Sequence, residues 1–317
     1  MLPTEKLKAV TQVIVHDNCA DGLMAAIVIA KALAFHGSQP FFQFIQYGTK
    51  AQEQLEARPG MLFCDITPPK ERAIEFARQG AIVIDHHKSA KEVTALFEDG
   101  IYEEAPGVSG ATLAYNYLLP KHVDNLGLLK LVTLTGVYDS WAKENPLWLD
   151  ALRLHSVMEI FYPRWSEKTC SGVMLFEKFA SIKELHSLRL GAQLLERELD
   201  HAKRVAKGGF DLEVNHVRVK LVQGVLEINL VAEAECLEDV DLVVGFLLFN
   251  NSEALPEVLF SLRSHKGFDC SALAKHFGGG GHPGSAGFKL PFGVHDPNPI
   301  RIFEAALVKY FKETQDG

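Results

Sequence analysis

A chain of 317 residues is too long for one ordinary core and predicts two domains. Its 47% hydrophobic and 23% charged content excludes large-scale disorder. With 40 acidic against 32 basic side chains, a formal charge of -8, the chain lacks the basic excess expected of a surface that tracks long nucleic acid.

In chain order, Gln12 to Val15 reads as a buried strand, Gly22 to Phe35 as a helix, and Phe41 to Gln46 and Met61 to Cys64 as strands. Lys70 to Gln79 follows as a helix and Ala81 to Ile84 as a further strand. Strands alternating with helices predict a parallel sheet covered on both faces. Ser109 is placed as the N-cap of a helix running to Leu119, and Leu126 to Val137 is another apolar helix. A long helical region is expected from about Glu167 to Lys207, with Leu188 to Ala206 amphipathic enough to connect two domains and Gly208-Gly209 as its stop. Beyond it, Phe210 to Val222 alternates about Asn215-His216 as a hairpin would. Leu242 to Phe249 and Val258 to Leu262 are strands, and Ser271 to Phe277 is a short helix leading into four glycines.

The five cysteines are scattered, odd in number and never C-x-x-C, so neither a disulfide framework nor a cysteine zinc knot is indicated. No basic start followed by a long apolar run marks a signal peptide, and no uncharged apolar stretch reaches bilayer length. The expectation is a cytoplasmic protein with reduced thiols and no membrane partner.

Four polar clusters stand out. His16-Asp17-Asn18-Cys19-Ala20-Asp21-Gly22 ends the first strand, Asp65 follows Met61 to Cys64, and Asp85-His86-His87 follows Ala81 to Ile84. Asp139 follows an apolar helix. Ligands of open parallel sheets bind beyond the carboxyl ends of the strands, where such side chains converge. Carboxylates mixed with imidazoles suit Mn²⁺, Mg²⁺ or Zn²⁺. Two ions about 3.5–4 Å apart can clamp an attacking and a leaving oxygen, and Asp65 is the candidate bridge between them. Each aspartate taken alone is equally an N-cap, and core packing is the first reading of the aromatic stretch of Trp141, Trp148, Phe161, Tyr162 and Trp165.

These clusters resemble the DHH phosphoesterase superfamily. Asp85-His86-His87 matches the motif that names it, and Val13 to Gly22, Cys64-Asp65 and Tyr138-Asp139 match the others in order. Phe260 to Ser264, Gly278 to Pro283 and Ala286 to Phe288 resemble the DHH-associated substrate domain. The resemblance implies an α/β fold: a parallel-sheet DHH domain over 1–187, a connector helix over 188–207, and a smaller α/β substrate-binding domain over 208–317. It implies that His16 holds one metal, that Asp21, His86 and Asp139 hold the other, and that Asp65 bridges. His87 faces the phosphate, and Asp85 fixes an imidazole. Arg263 grips a phosphate oxygen, Gly279, Gly280 and Gly281 let backbone amides approach the anion, and His282 adds a donor.

Many relatives carry two aspartates in the first motif. Here Cys19 replaces the first and Asp21 keeps the second, so Cys19 is either a thiolate ligand or a small packing residue, with packing favoured slightly. The implied activity is metal-dependent hydrolysis of a short nucleotide substrate: a nanoRNA, a dinucleotide or an adenosine bisphosphate. Mn²⁺ is the foremost cofactor, with Mg²⁺, Co²⁺ or Zn²⁺ next and up to two ions. Partners are a small nucleotide or short oligonucleotide, with no long duplex, and a homodimer stays open. An exopolyphosphatase and a nucleotide-binding protein with little turnover are the alternatives, and a processive exonuclease is disfavoured.

Overall fold

The computed structural model describes all residues except 1, 124–125, 163–168, 188–189, 225–227, 233–236, 238, 250–255, 293–297 and 316–317. Trp165 and Cys236 therefore lie outside the described residues. Two compact units, Met1–Leu195 and Glu196–Gly317, divide the chain inside the Leu190–Lys207 helix.

The first unit is built on β1 (Gln12–His16), β2 (Phe41–Ile45), β3 (Met61–Cys64), β4 (Ile82–Asp85), β5 (Gly100–Tyr102) and β6 (Thr169–Ser171). Their order is β5-β4-β3-β1-β2-β6, parallel throughout except for the antiparallel β2–β6 pair. Strands covered on both faces must be apolar on both, which is why the inner strands read as unbroken apolar runs. Ile14, Phe63 and Val83 pack on one face with Phe76 and Phe97. On the other face the Ala20–Phe35 helix packs on β1 and meets the Gly110–Leu118, Leu126–Asp139 and Gly172–Ser187 helices. That helix is apolar nearly all round because it has neighbours nearly all round.

The strand order places the site. β1 and β3 lie side by side, yet the chain leaves them in opposite directions, β1 toward β2 and β3 toward β4. A crevice opens at such a switch point, beyond the carboxyl ends of the strands. His16 ends β1, Asp65 follows β3, and Asp85 ends β4.

One expected element is corrected. The start of the helix expected from about Glu167 lies outside the described residues, and Thr169–Ser171, expected within it, forms instead the edge strand β6 against Phe41–Gln43, with a helix following from Gly172. Three residues are too few to show a periodicity, and the pairing is with a strand far away in sequence.

The second unit holds β7 (Phe210–Val214), β8 (Val217–Gln223), β9 (Leu242–Phe249), β10 (Glu257–Ser264), β11 (Gly280–His282) and β12 (Ser285–Pro291). Their order is β11-β12-β10-β9-β8-β7, antiparallel except for β8–β9. β7 and β8 join through Asn215 and His216, both left-handed at φ 48° and 64°, as a tight hairpin demands. Along β10 the even-numbered Val258, Phe260 and Leu262 enter the core with Phe288, Phe303 and Leu307, and Leu259, Ser261 and Arg263 take the opposite face.

Candidate metal centre

Asp65 is the centre of the first unit's cluster. It is fully buried and sits just past β3 at φ 61°, in the left-handed region that an aspartate tolerates better than most residues. Its amide still donates to Ile84 O at 3.0 Å, so the chain turns only after one further ladder bond. The turn throws the carboxylate between two donor groups. Oδ2 lies 3.6 Å from His16 Nδ1 and 3.6 Å from Cys19 Sγ. Oδ1 lies 3.4 Å from His86 Nε2.

His86 is also buried, and its Nε2 lies 3.1 Å from Asp139 Oδ2 and 3.7 Å from Asp21 Oδ2. Two trios of donors, His16–Cys19–Asp65 and Asp21–Asp65–His86, each gather within 4.8 Å, with Asp65 in both. Cis oxygens of an octahedral ion bound at about 2.1 Å stand about 3 Å apart, so separations of 3.1–3.7 Å suit a small divalent cation. Among the described residues, the buried atoms His16 Nδ1, Asp65 Oδ1 and Asp139 Oδ2 make no hydrogen bond. Buried polar atoms left in that state cost free energy, which a cation would recover. The donor set therefore fits divalent metal.

Surrounding residues hold these donors. Asp21 is fully buried and accepts from the amides of Gly110 and Ala111 at 2.6 and 2.9 Å, so it caps a helix from 89 residues away. His16 Nε2 is 2.5 Å from Gln46 Oε1, an acceptor that takes the Nε2 proton and fixes the ring with Nδ1 facing Asp65. Asp85, at 0% exposure, accepts from the amide and Nδ1 of His87 at 2.8 and 2.9 Å and from Tyr47 Oη at 3.3 Å. Tyr47 Oη in turn accepts from the Thr67 amide at 3.1 Å.

Crowding moves the protons. Burial alone would lower both imidazoles, but Asp65 lifts His16 to about 9, and Asp139, Asp65 and Asp21 lift His86 to about 10. Burial would raise Asp65, but His16 and His86 outweigh it and hold its carboxyl below the usual range. Asp21 and Asp139 are pushed up, first by burial, then by neighbouring charge, above all that of Asp65. In the metal-free protein, protonated imidazoles stand in for a cation.

In the second unit, Arg263 is pinned on β10. Its Nε donates to Asn229 Oδ1, and its Nη1 donates to Ser261 Oγ at 3.1 Å and Leu262 O at 2.7 Å. The glycine run is partly a packing device. Gly279 donates its amide to Ala274 O at 2.8 Å, and a Cβ on it would lie 2.1 Å from Gly287 O. Its amide is thus bonded within the fold. Gly280, Gly281 and His282 pair with Gly287, Ala286 and Ser285 as a hairpin.

Several supporting residues escaped the sequence reading. Gln46, Tyr47 and Asn229 carry no motif and are found only through the partners they bond, and Ser261 lies within the Phe260 to Ser264 motif with no role read for its side chain. Gly110 directly follows Ser109, the residue read as a helix N-cap, and that helix start was its only signal. A Cβ on it would lie 2.8 Å from Asp65 Cβ and 2.9 Å from Asp21 Oδ2, so this glycine makes room for the cluster. Tyr138 stacks on His155 at 3.8 Å and on Trp148 at 6.0 Å, and Trp141 stands half-buried at φ 55°.

A switch-point parallel sheet carrying aspartates and histidines, followed by a second mixed sheet, defines a two-unit α/β protein. The particular fold is that of the DHH proteins. It is similar to a structure described as the DHH domain of a member of a family of ribosomal proteins, at 12% identity and TM-score 0.59, covering 98% of this chain and 87% of that one. An exopolyphosphatase-related protein from Bacteroides fragilis matches at 14% identity and TM-score 0.50, over 97% and 94% of the two chains. A pGpG-specific phosphodiesterase from Vibrio cholerae matches at 11% identity and TM-score 0.49, over 96% and 99%. No protein-family model matches the chain, and no curated protein matches it in sequence. No helix among the described residues is long and apolar enough to cross a membrane.

Proposed function

We propose that this chain is a divalent-metal-dependent hydrolase of phosphate esters, acting on a short nucleotide such as a dinucleotide, a nanoRNA or an adenosine bisphosphate. One observation carries the reading: the buried Asp65 carboxylate turns one oxygen to His16 and Cys19 and the other to His86. His16 and Asp65 would hold one ion; Asp21, Asp65, His86 and Asp139 would hold a second. Mn²⁺ is the first choice and Mg²⁺, Co²⁺ or Zn²⁺ the next. Such ions, when bound, supply hydroxide near neutral pH and neutralise charge on phosphoryl oxygens.

The remaining work falls to protein groups. Asp85 accepts from His87 Nδ1, which fixes the tautomer and leaves Nε2 to exchange a proton with the phosphate or its leaving oxygen. Asp85 is suited to this because His87 outweighs its burial and keeps it ionised. Arg263 is the anion-binding group of the second unit, since Asn229 and Ser261 fix the plane of its guanidinium. Gly280, Gly281 and His282 are the further substrate contacts. A formal charge of -8 supports a short substrate over a long polymer.

The test is a panel of pApA, adenosine bisphosphate, inorganic polyphosphate and a single-stranded oligomer, each with Mn²⁺, Mg²⁺, Co²⁺ and Zn²⁺. Hydrolysis of a short nucleotide that vanishes in Asp65→Asn is the expected result. Nucleotide binding without turnover under any ion would make the protein a binding module, and turnover of polyphosphate alone would make it an exopolyphosphatase.

A further inference from the structure

The two donor sets differ in kind. Asp21, Asp139, His86 and one oxygen of Asp65 offer only oxygen and nitrogen. His16, Cys19 and the other oxygen of Asp65 offer nitrogen, sulfur and oxygen. We propose that His16, Cys19 and Asp65 form a sulfur-containing cation site that takes a thiophilic divalent ion, Zn²⁺ or Co²⁺, in preference to Mn²⁺ or Mg²⁺. The inference rests on the reading of this cluster as a metal centre, and it makes that centre chemically asymmetric.

Distances support it. A tetrahedral ion with bonds of about 2.0–2.1 Å to N or O and about 2.3 Å to S sets neighbouring donors roughly 3.3–3.6 Å apart. Cys19 Sγ and His16 Nδ1 each lie 3.6 Å from Asp65 Oδ2. His16 Nδ1 is buried and makes no hydrogen bond among the described residues, and Asp65 is fully buried between the two. With two separations already at coordination spacing and all three donors within 4.8 Å of one another, little rearrangement is needed to close on an ion.

The local fold turns Cys19 toward this cluster. It occupies the N-cap of the Ala20–Phe35 helix at φ -136°, a position that favours a side-chain acceptor, yet its side chain makes no capping bond. The thiol turns to Asp65 instead. A packing cysteine would sit among apolar side chains. Cys19 is only partly buried and keeps company with a carboxylate and an imidazole. Bound to the ion, the thiol gives its proton to solvent and its sulfur to the metal, with no oxidant or reductant required. Soft sulfur favours Zn²⁺ and Co²⁺, whereas the all-oxygen-and-nitrogen set keeps its affinity for Mn²⁺.

Cobalt reports both points at once. The full chain is titrated with Co²⁺ and followed by absorption. A sulfur-to-cobalt charge-transfer band in the near ultraviolet, lost in Cys19→Ser while the visible ligand-field bands remain, is the expected outcome. Ser is also a good N-cap, so the variant keeps its helix. In Zn²⁺/Mn²⁺ competition the same variant should lose roughly 10- to 100-fold of its preference for Zn²⁺, the scale set by weakened metal contacts. Ligand-field bands with no charge-transfer band in the wild type would overturn this proposal and leave the metal centre standing. Absence of any cobalt bands would overturn both.

Discussion

Gly110→Ala tests whether the cluster is built to a fixed spacing. The added Cβ would lie 2.8 Å from Asp65 Cβ, 3.2 Å from Asp65 Cα and 2.9 Å from Asp21 Oδ2. Carbon atoms pack best at about 3.5–4.0 Å, so the overlap is roughly 0.5–1 Å against atoms close to the backbone. Asp65 cannot yield freely, because its amide is bonded to Ile84 O and its φ is already positive. Overpacking of this kind costs about 1–3 kcal/mol, and the better helix propensity of Ala returns about 1 kcal/mol. The net loss of stability is therefore modest, about 0–2 kcal/mol. Function should suffer more, since displacement of a positioned group by about 1 Å can cost about 100-fold. The assay pairs denaturant unfolding of the metal-free protein with Mn²⁺ titration calorimetry. Folded Gly110→Ala with Mn²⁺ affinity reduced tenfold or more is expected; wild-type affinity would show that the close approach of Gly110 to Asp65 does not set the site.

Proton release gives a second prediction. With His16 and His86 lifted to about 9 and 10, both imidazoles carry protons at pH 7.5 in the metal-free protein. Their contribution to stability is full below about 6.5, the unfolded value, and is lost as pH rises through about 9–10. Metal needs neutral imidazole, so Mn²⁺ affinity should rise from pH 7 to 9, with protons released in calorimetry across buffers of different ionisation enthalpy; binding without release would refute the assignment. Asp85→Asn should cut kcat about 10²-fold or more with Mn²⁺ stoichiometry unchanged, because it withdraws charge from His87 and not from the metal donors. Asn229→Ala should raise KM about tenfold with little change in kcat, since it frees one bond of a guanidinium still held by Ser261; an unchanged KM would remove Arg263 from substrate binding.

The sheet was legible because β1, β3 and β4 are apolar on both faces and end on His, Asp and Asp-His-His, where polarity breaks sharply. The clusters at the ends of these strands stood out for the same reason, since a polar group that follows a buried strand must satisfy itself at the sheet's rim, whereas their roles as metal donors, and that of Asp139 at the end of a helix, were implied by the family resemblance. What could not be read depends on contacts across the sequence. Nothing near Asp65 reveals its left-handed turn, which the Ile84 carbonyl and the approach of Gly110 impose. The bonds from Asp21 to Gly110 and Ala111 span 89 and 90 residues. Strand β6 is three residues long and exists only because β2 offers it an edge. In the glycine run, the resemblance implied an anion loop; the bond from the Gly279 amide to Ala274 O and the close approach of Gly287 O are made with residues that motif does not specify.

The most direct test is a crystal structure of the protein grown with Co²⁺, which both donor sets accept, using anomalous scattering to locate the ions. The account predicts two sites about 3.5–4 Å apart, each touching a different oxygen of Asp65, with His86 and Asp139 on one and His16 on the other. Ions bound elsewhere, or a pair that leaves Asp65 uncoordinated, would contradict it.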